Sequence, residues 1–356
     1  MSGGSKHKKI LVAPLNWGLG HAARCIPLIR ALLSCNFEPV LAGDGPPLAL
    51  LKKEFPQLKY YELPTYSVEY AKKGGALKYK LLLQSPKILR AVSKERKVVE
   101  QIIEKEGLKG IISDNRFGVR SDKIPSIYLT HQLKVLSGST SFLSTKLHQK
   151  FISKFDECWI PDFEKTDSLA GELSQIDKIP TKIKYIGPLS RFSAKTEKKD
   201  IDILVVLSGP EPQRTMLESQ LTEQLKMFKG QCLMVQGKVE ETQRIVQEGN
   251  LKVVNFMLTD QLEEAYYKSR LVICRSGYSS IMDLEALKTK AFFIPTPGQY
   301  EQQYLAKRLK KMGIANFVQQ DKFSLEALNS IDEYSGFGQK KTSKSGFKAS
   351  LFDVFN

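Results

Sequence analysis

A glycine-rich segment near the N-terminus ends in a histidine: Asn16-Trp17-Gly18-Leu19-Gly20-His21. The two glycines let the backbone approach a ligand closely. A helix that begins here would direct free N–H groups and its positive end at phosphate or developing negative charge. The imidazole of His21 could act as a general base near neutral pH. A structural turn capped by His21 is the alternative, because alanine at position 23 departs from the dinucleotide fingerprint G-x-G-x-x-G.

A second glycine segment, Ser208-Gly209-Pro210-Glu211-Pro212-Gln213-Arg214, follows an apolar run in the other half of the chain. It predicts another helix N-terminus that can hold phosphate oxygens, with Arg214 on the first turn. A plain helix cap with an initiating proline explains Ser208 and Pro212 equally well. That alternative leaves unexplained why both halves place glycine at the same point.

A third segment, Cys274–Ala286, predicts a nucleotide site. A strand ends at Arg275, Gly277 turns, and a helix begins with Ser279 and Ser280. Asp283 lies about one helical turn further on the same face, where its carboxylate could accept both ribose hydroxyls while the helix N-terminus holds the diphosphate. The residues proposed for this site are Arg275, Ser276, Gly277, Ser279, Ser280 and Asp283.

A rigid loop rich in proline and glycine, Pro295–Gln303, comes soon after the third segment. It presents the amide side chains of Gln302 and Gln303. Amides both donate and accept hydrogen bonds, which suits the hydroxyls of a sugar. The order and spacing of the four segments together predict a nucleotide-sugar site.

The elements that must position these segments alternate between short apolar runs and helical stretches, which is typical of βα units on parallel sheets. The helical stretch from Gly75 to Glu106 is expected to break at Ser85-Pro86, because proline lacks the N–H that a helix interior needs. The polar stretch Ser190–Asp202 is the predicted linker between two α/β halves. Ligands bind such sheets at the carboxyl ends of their strands, so both halves can face one cleft. The predicted strands are 9–13, 39–42, 60–63, 110–113, 126–129, 158–160, 203–207, 232–235, 251–254, 271–274 and 291–294.

Composition excludes several classes of protein. The 356 residues suffice for two domains. No apolar run approaches the ~20 residues of a membrane-spanning helix, and Asn16 interrupts the one stretch that resembles a signal peptide. The five cysteines are widely spread with no C-x-x-C pair, which favours reduced, mostly buried thiols and a cytoplasmic protein.

Positive charge is concentrated in the first half of the chain. Residues 1–190 hold 30 basic and 18 acidic side chains, and Lys72–Lys109 alone has a net charge of +7. Within this basic segment, leucines, lysines and Tyr79 interleave, so it could lie on an anionic membrane at the cytoplasmic face. An ordinary surface helix is the alternative. No aromatic-basic platform supports nucleic acid as a partner.

Together the segments resemble the MurG-like branch of the GT-B glycosyltransferases, which use UDP-sugars. The resemblance implies an α/β fold with two Rossmann-like domains facing a cleft. It implies an acceptor-binding domain over residues 1–190 and a nucleotide-sugar-binding domain over 191–334. Independently of the resemblance, the Gly-, Ser- and Lys-rich composition of Ser335–Ser345 predicts a mobile tail, residues 335–356, that docks back through Leu351–Phe355. The resemblance further implies that His21 is the catalytic base and that Arg191 and Phe256-Met257 contact the nucleotide. The segments that carry the resemblance are Gly18–His21, Gly187-Pro188, Ser208-Gly209, Arg275–Gly277 with Asp283, and Gln302–Tyr304.

Three departures from the family pattern concern the acceptor side above all. Aspartate stands at position 283 where glutamate is usual. The expected second glycine loop, Asp114–Gly118, has one glycine, and His131-Gln132 resembles only part of a His-Glu-Gln-Asn run. Asp114, His131 and Gln132 are therefore candidates for contact with a divergent acceptor.

The sequence thus predicts an inverting transfer of a sugar from a UDP-sugar to a hydroxyl acceptor. In a second hypothesis water is the acceptor and the protein is a nucleotide-sugar hydrolase, because the pattern Gly-x-Gly-His-x-x-Arg, completed by Arg24, also resembles such hydrolases. A basic interaction module without enzymatic activity is the third hypothesis. No cofactor or metal is expected, because helix dipoles and cations can stabilise the diphosphate; the resemblance implies a lipid-linked acceptor.

Overall fold

The computed structural model describes residues 7–66, 77–176, 181–195, 197–338 and 349–356, with the side chains of residues 77–88 and 139 left out of the description. Two sheets, one in each half of the chain, form the framework. Both are built from strands whose central members are buried along almost their whole length, as expected for parallel sheets covered by helices on both faces.

The first sheet has seven parallel strands in the order β3-β2-β1-β4-β5-β6-β7. Val12 of the central strand pairs with Leu41 on one side and Ile112 on the other. The strands are β1 (Lys9–Pro14), β2 (Glu38–Gly43), β3 (Tyr60–Glu62), β4 (Gly110–Asp114), β5 (Ser126–Leu129), β6 (Glu157–Ile160) and β7 (Lys182–Tyr185).

Four helices accompany the first sheet: α1 (Leu19–Ser34), α2 (Gly45–Glu54), α3 (Leu77–Glu106) and α4 (Ser141–Ile152). The expected break at Ser85-Pro86 is wrong, because α3 runs through it without interruption. One proline removes one backbone donor and bends a long helix without ending it, provided that the helix is held elsewhere. Val99 and Ile102 supply that hold, since both are buried against the first sheet.

The second sheet has the order β10-β11-β9-β8-β12-β13-β14, with β10 antiparallel to β11 and the other pairs parallel. Its strands are β8 (Ile201–Val206), β9 (Cys232–Val235), β10 (Ile245–Glu248), β11 (Leu251–Val254), β12 (Ser269–Cys274), β13 (Ala291–Phe293) and β14 (Asn316–Phe317). Its helices are α5 (Gln213–Leu225), α6 (Thr259–Lys268), α7 (Tyr278–Leu287) and α8 (Tyr300–Lys311).

The strand order of each sheet reverses at one point, and ligands of open α/β sheets bind at such points. In the first sheet the reversal lies between β1 and β4, so the loop after Pro14 and the residue Asp114 share it. In the second sheet it lies between β8 and β12, so the loop after Val206 and the loop after Cys274 share it. The topology therefore places three of the glycine segments at the two reversal points.

The C-terminal residues pack on the first sheet. A 3₁₀ helix, Ala349–Phe355, buries Phe352 and Phe355, whose rings contact Phe37 and Trp159. A Cβ atom at Gly110 would lie 2.2 Å from the Phe355 ring, so this contact needs glycine in β4. The chain thus returns from the second half to the core of the first.

Each predicted strand overlaps an observed one, and the two-sheet α/β fold is confirmed. Three edge strands, β7, β10 and β14, were not predicted; β10 is exposed throughout and β14 has two residues, so neither shows an apolar alternation. Cys25, Cys158, Cys232 and Cys274 are buried and all five cysteines are free, as predicted. None of the described helices is long and apolar enough to cross a lipid bilayer.

Candidate active site

The first two glycine loops meet face to face between the sheets. Gly18 has a φ of +86° and Gly209 a φ of +103°, which side chains rarely adopt. A Cβ atom at Gly18 would lie 3.9 Å from the backbone nitrogen of Gly209, and one at Gly209 would lie 3.6 Å from Oγ1 of Thr296. That hydroxyl is buried and has no hydrogen-bond partner among the described residues. The two predicted turns therefore form one narrow site with an unused polar group beside it.

A cavity of about 890 Å³ opens beside these turns. Its volume is within the range of small-molecule sites. The ends of strands in both sheets contribute to it, so the cavity lies between the two halves. Its wall includes Asn16, Trp17, Gly18, Asp44, Thr65, Tyr66, Asn115, Phe117, Ser208, Gly209, Glu211, Arg214, Lys238 and Glu240.

The first turn of α7 packs on the first turn of α1. The Ser279 hydroxyl donates to the carbonyl of Gly20 at 2.9 Å. A Cβ atom at Gly20 would lie 2.9 Å from Oγ of Ser279. Glycine at position 20 is therefore required by this contact. A Cβ atom at Gly277 would meet nothing within 4 Å, so the helix N-terminus opens onto free space at that residue, while Ser280 is partly buried.

His21 lies at the start of α1 in a buried network with Asp114 and Arg24. Its Nδ1 donates to Oδ1 of Asp114 at 3.0 Å, and Nη2 of Arg24, 2.8 Å from that nitrogen, donates to the same carboxylate oxygen. Burial, more than any other influence, lowers the pKa of His21, although Asp114 opposes the shift. Burial opposes ionisation of Asp114, but Arg24 and His21 lower the pKa of its carboxyl group to about 2. The imidazole is therefore held beside a permanent carboxylate and stays neutral at neutral pH.

The same network continues across the cleft. Nη1 of Arg24 donates to Nδ1 of His131 at 3.1 Å, which leaves Nε2 to donate to Oε1 of Glu301 at 2.9 Å. The side-chain amide of Gln132 also donates to Glu301. The ring of His131 stacks on Tyr278 with centroids 4.3 Å apart. Of the predicted acceptor-side residues, Asp114 thus adjoins His21, whereas His131 and Gln132 touch the second half of the chain.

Asp283 lies at the junction of the two halves, as its proposed role requires. It accepts a hydrogen bond from the Ser190 hydroxyl at 2.6 Å, and burial raises the pKa of Asp283 to about 6, against the opposing charge of Arg191. The buried Nε and Nη1 atoms of Arg191 have no hydrogen-bond partner among the described residues, although Nη1 is 3.8 Å from Oε1 of Glu54. This junction therefore offers unpaired donors beside a carboxylate.

Phe256 and Met257 follow β11 at the same junction, Phe256 buried and Met257 partly buried. The carbonyl of Phe256 accepts from Gln243 at 2.7 Å. From the first half, Glu54 accepts hydrogen bonds from both the backbone N–H and the hydroxyl of Thr259, each at 2.7 Å. A carboxylate of one half thus caps helix α6 of the other, close to the predicted nucleotide contacts.

Two side chains of the predicted site are bonded to neighbouring loops. The guanidinium of Arg275 is fully buried and donates to the carbonyls of Gln213 and Ile294 and to Gln320, so it joins loops of the second sheet. The contact of Arg275 with a diphosphate stays a prediction. Both ends of the Gln302 amide are bonded within its own loop, to the Thr296 N–H and to Gln299.

Ser276 lies in the third segment and Gln303 in the fourth. The hydroxyl of Ser276 is buried and donates to the carbonyl of Gln302 at 2.7 Å, so it ties these segments together. Gln303 is partly buried, and its backbone N–H donates to Gln299. Its contact with a donor sugar stays a prediction.

Comparisons with known proteins agree with this architecture. Residues 204–346 match the glycosyltransferase family 28 C-terminal domain. A crystal structure of Acinetobacter baumannii MurG is similar with a TM-score of 0.50 and 15% identity, covering 92% of this chain and 90% of that one. A Haemophilus influenzae (strain PittGG) protein named UDP-N-acetylglucosamine--N-acetylmuramyl-(pentapeptide) pyrophosphoryl-undecaprenol N-acetylglucosamine transferase is 26% identical over 337 residues, which cover 91% of this chain and 88% of the relative. The chain is a glycosyltransferase of the GT-B fold that is similar to MurG.

Further solved structures support the GT-B fold of this MurG-like glycosyltransferase. The spinosyn rhamnosyltransferase SpnG has a TM-score of 0.61 at 12% identity, with 93% of each chain covered. Similarity at that identity concerns the fold alone. The hypothesis of an interaction module without enzymatic activity is wrong, because the family and the curated relatives are glycosyltransferases.

Sequence reasoning missed the roles of several residues of the MurG-like glycosyltransferase that complete the network. It connected Arg24 only with the hydrolase hypothesis, although Arg24 stands three residues after His21 on one helix and this spacing places both on the same face. Glu301 stands next to the predicted amides but was not proposed. Nothing in the sequence indicates that Glu54 would cap a helix of the other half.

The predicted membrane segment Lys72–Lys109 lies largely outside what can be described. Residues 72–76 are outside the described ranges, as are the side chains of residues 77–88. Within the described part of this segment, Leu89 is exposed. The tail beyond Gly338 is likewise described only from Ala349 onward.

Proposed function

We propose that this MurG-like glycosyltransferase transfers a sugar from a UDP-sugar to a hydroxyl group of a lipid-type acceptor, with inversion and without a metal ion. The observation that carries the proposal is the position of the His21–Asp114 pair beside the facing turns of Gly18 and Gly209. A base and an anion site then meet at one place. The name of the Haemophilus influenzae relative, which specifies UDP-N-acetylglucosamine and a pyrophosphoryl-undecaprenol acceptor, supports a UDP-sugar donor and the lipid character of the acceptor.

The proposed chemistry is a single displacement. With Nδ1–H donated to Asp114, the lone pair on Nε2 of His21 takes the acceptor proton. The acceptor oxygen then forms a bond to the anomeric carbon of the sugar as the bond from that carbon to the diphosphate breaks. UDP leaves with the electron pair, and attack from the opposite face inverts the anomeric centre.

The leaving diphosphate would be stabilised by fixed dipoles. Gly209 precedes α5, and the open backbone at Gly277 precedes α7, so two helix N-termini direct N–H groups toward the turns. The buried, unpartnered hydroxyl of Thr296 adds a donor beside Gly209. Preorganised donors of this kind can stabilise the developing charge, so the proposal assigns no step to a metal ion.

The nucleoside would occupy the junction around Asp283. The Asp283 carboxylate would accept the ribose hydroxyls in place of the Ser190 hydroxyl that it binds now. The unpaired N–H groups of Arg191 would bind the diphosphate or the uracil carbonyl, and Phe256-Met257 would line the base. Domain boundaries near residues 190 and 334 follow as part of the same proposal.

The hydrolase alternative has less support than transfer. It depended on Arg24, yet all three nitrogens of this guanidinium are bonded within the network of Asp114, His21 and His131. The curated relatives named here are transferases. A hydrolase would release free sugar at full rate from the donor alone, so product analysis without acceptor tests this point.

An experiment on ligand stabilisation tests the donor. A panel of UDP, GDP, dTDP and CMP is added to the full chain, and the unfolding temperature is measured. A ligand at 100 times its Kd should stabilise the protein by about 2.7 kcal/mol. We expect stabilisation by UDP and its loss in Asp283→Ala. The absence of any shift with uridine nucleotides would contradict the donor assignment.

We propose that the reaction takes place at a lipid surface and that α4 binds this surface. This helix has no carboxylate, and its outward side exposes Phe142, Leu143 and Leu147 at 72%, 65% and 54%. Lys146 and Lys150 lie on the same helix. Apolar side chains among cations are typical of helices that lie in an anionic membrane interface. On its inner side Phe151 stacks on Phe117 of the cavity wall, so the helix would bring the cavity to the membrane.

Vesicle flotation tests this surface. We expect the protein to float with anionic vesicles and the double variant Leu143→Ser, Leu147→Ser to remain in the soluble fraction. Met227→Ser is the matched control, since Met227 is also 72% exposed but lies in the second half. Equal flotation of the double variant and the control would contradict a role for α4.

A further inference from the structure

The cavity has a distinct chemistry on the side of the first sheet. Rings and uncharged polar groups form this wall, and the ring of Phe117 is held in place from behind. Phe117 stacks on Phe151 with centroids 4.4 Å apart and on Tyr128 with centroids 5.8 Å apart. A fixed aromatic surface favours a flat or aliphatic apolar group. The wall residues concerned are Trp17, Thr65, Tyr66, Asn115 and Phe117.

The cations of the cavity are already paired. Among the described residues that line it, Arg214 and Lys238 are cationic. Arg214 donates to Glu218 at 2.6 Å and to Glu211 at 2.7 Å, and Nζ of Lys238 lies 3.1 Å from Glu218. The carboxylates of Asp44, Glu211 and Glu240 line the same space and outnumber these cations. An anionic group entering the cavity would therefore find no unpaired cation among these described lining residues.

The loop that departs from the family pattern, Asp114–Gly118, is filled by a carboxylate of the protein itself. Glu95 of α3 accepts a hydrogen bond from the N–H of Gly118 at 3.0 Å and another from the Tyr66 hydroxyl. Its other oxygen accepts from Nε of Arg116 at 2.6 Å. Backbone N–H groups at a glycine turn are common phosphate donors, and here Glu95 occupies them.

The remaining donors of Arg116 are also occupied. Nη1 donates to Asp44 at 2.5 Å, and Nη2 donates to the carbonyl of Pro64 at 2.9 Å. A Cβ atom at Gly118 would lie 2.5 Å from the carbonyl oxygen of Val92, so glycine at this position serves the packing of α3. Neither the cation nor the glycine of this loop is left to bind a phosphate.

We infer that the acceptor is an uncharged hydroxyl compound with an apolar body, and not a diphosphate-linked one. The inference rests on the proposed function, because it takes the cavity as the acceptor site. The apolar body lies on the aromatic wall, and the uncharged groups of Thr65 and Asn115 orient the hydroxyl near Gly18. Asp44 and Glu95 already occupy the guanidinium of Arg116, and Glu95 the N–H of Gly118, so a diphosphate would find no free donor in this loop.

Tryptophan fluorescence of the full chain saturated with UDP tests the inference. The chain has two tryptophans. Trp17 lines the cavity and is 41% exposed, whereas Trp159 is fully buried in the core. The probes are octyl glucoside, below its micelle concentration, and a compound in which a diphosphate joins the same octyl chain and glucose. We expect the uncharged probe to bind at least about tenfold more tightly, because one repulsive charge contact at short range can supply that ratio.

Variants show which residues cause the preference for the uncharged probe over the diphosphate probe. Trp17→Phe should abolish the fluorescence change, which assigns the signal to the cavity. Glu240→Gln should reduce the preference for the uncharged probe by about threefold, since it removes one wall charge. Glu248→Gln on the exposed strand β10 is the matched control and should leave the preference unchanged.

Equal or tighter binding of the diphosphate probe would overturn the inference, and so would the absence of a fluorescence change with either probe. The donor proposal is judged separately by the stabilisation that UDP gives to the same preparation. A protein stabilised by UDP that prefers the diphosphate probe keeps the proposed function and loses the inference. A protein that UDP does not stabilise loses the proposed function whichever probe it binds.

Discussion

Arg24 and Arg116, on one side of the cleft, differ from Arg191, on the other, in how many of their guanidinium nitrogens are hydrogen-bonded. On the side of the first sheet, Arg24 and Arg116 are bonded at all three guanidinium nitrogens. At the junction with the second half, Arg191 keeps two buried nitrogens without a hydrogen-bond partner among the described residues. Leaving a buried donor unpaired costs free energy. The difference indicates that the first side is complete in itself, whereas the second is built to receive an acceptor of hydrogen bonds.

The two sides of the site therefore have different roles. The saturated side holds one neutral imidazole against a permanent carboxylate, which suits proton transfer. The unsaturated side offers N–H groups, a hydroxyl and helix N-termini, which suit a nucleoside diphosphate. Each variant below disrupts one side, and the measurement shows whether the other side keeps its function.

Removal of the imidazole should have the largest effect. His21→Ala is expected to lower the transfer rate by about 10²–10⁴, the usual contribution of a general base. UDP should stabilise the variant as much as the parent, because the nucleotide lies on the other side. Steady-state kinetics and thermal unfolding measure the two quantities. His7→Ala, an exposed histidine, is the control and should change neither.

A substitution on the fully hydrogen-bonded first side, at a residue other than His21, should lower the free energy of unfolding. Arg116→Met leaves the buried carboxylates of Glu95 and Asp44 without their partner and should lower the free energy of unfolding by about 3–5 kcal/mol. Arg96→Met removes an exposed pair with Asp122 and should cost less than about 1 kcal/mol. Denaturant unfolding measures both; similar losses in the two variants would contradict the account.

Breaking the unsaturated side should reduce affinity without a loss of stability. Arg191→Ala is expected to weaken UDP binding by about 10–100-fold, the value of one charge-assisted hydrogen bond of about 1.5–3 kcal/mol. The unfolding temperature without nucleotide should not fall, since two of the donors have no partner to lose. Calorimetric titration gives the affinity. A variant that binds UDP normally but unfolds early would reverse the comparison.

The smallest expected effect is on pH dependence. Burial raises the pKa of Asp283 to about 6, so its carboxylate becomes protonated as the pH falls through 6 and loses the ability to accept two ribose hydroxyls. UDP affinity should therefore fall several-fold between pH 7 and pH 5. In Asp283→Asn the affinity should be lower and independent of pH over this range. A parent profile as flat as that of the variant would show that Asp283 does not bind the ribose.

Much of the framework was predictable because parallel strands buried on both faces are continuous apolar runs. The turns of Gly18, Gly209 and Gly277 were predictable for a similar reason, since each follows such a run directly. Edge strands escaped prediction, because exposed β10 has no apolar face. The fold of the second half was the easier to recognise from its motifs.

The site itself was predictable in position more than in detail. The placement of His21, Asp114 and Asp283 near the cleft follows from strand ends and helix spacing. Arg275 and Gln302 were assigned to the ligand because their residue types suit it, yet both bind neighbouring loops. Contacts between distant segments, such as Glu54 with Thr259 or His131 with Glu301, depend on how the halves meet, which no local pattern contains.

A crystal structure of the full chain with UDP tests the central claim most directly. The account predicts the β-phosphate between the turns of Gly18 and Gly209, the ribose hydroxyls within hydrogen-bond distance of Asp283, and a hydrogen bond from Arg191 to the nucleotide. UDP bound elsewhere, with Arg191 still unpaired and Ser190 still bonded to Asp283, would contradict it.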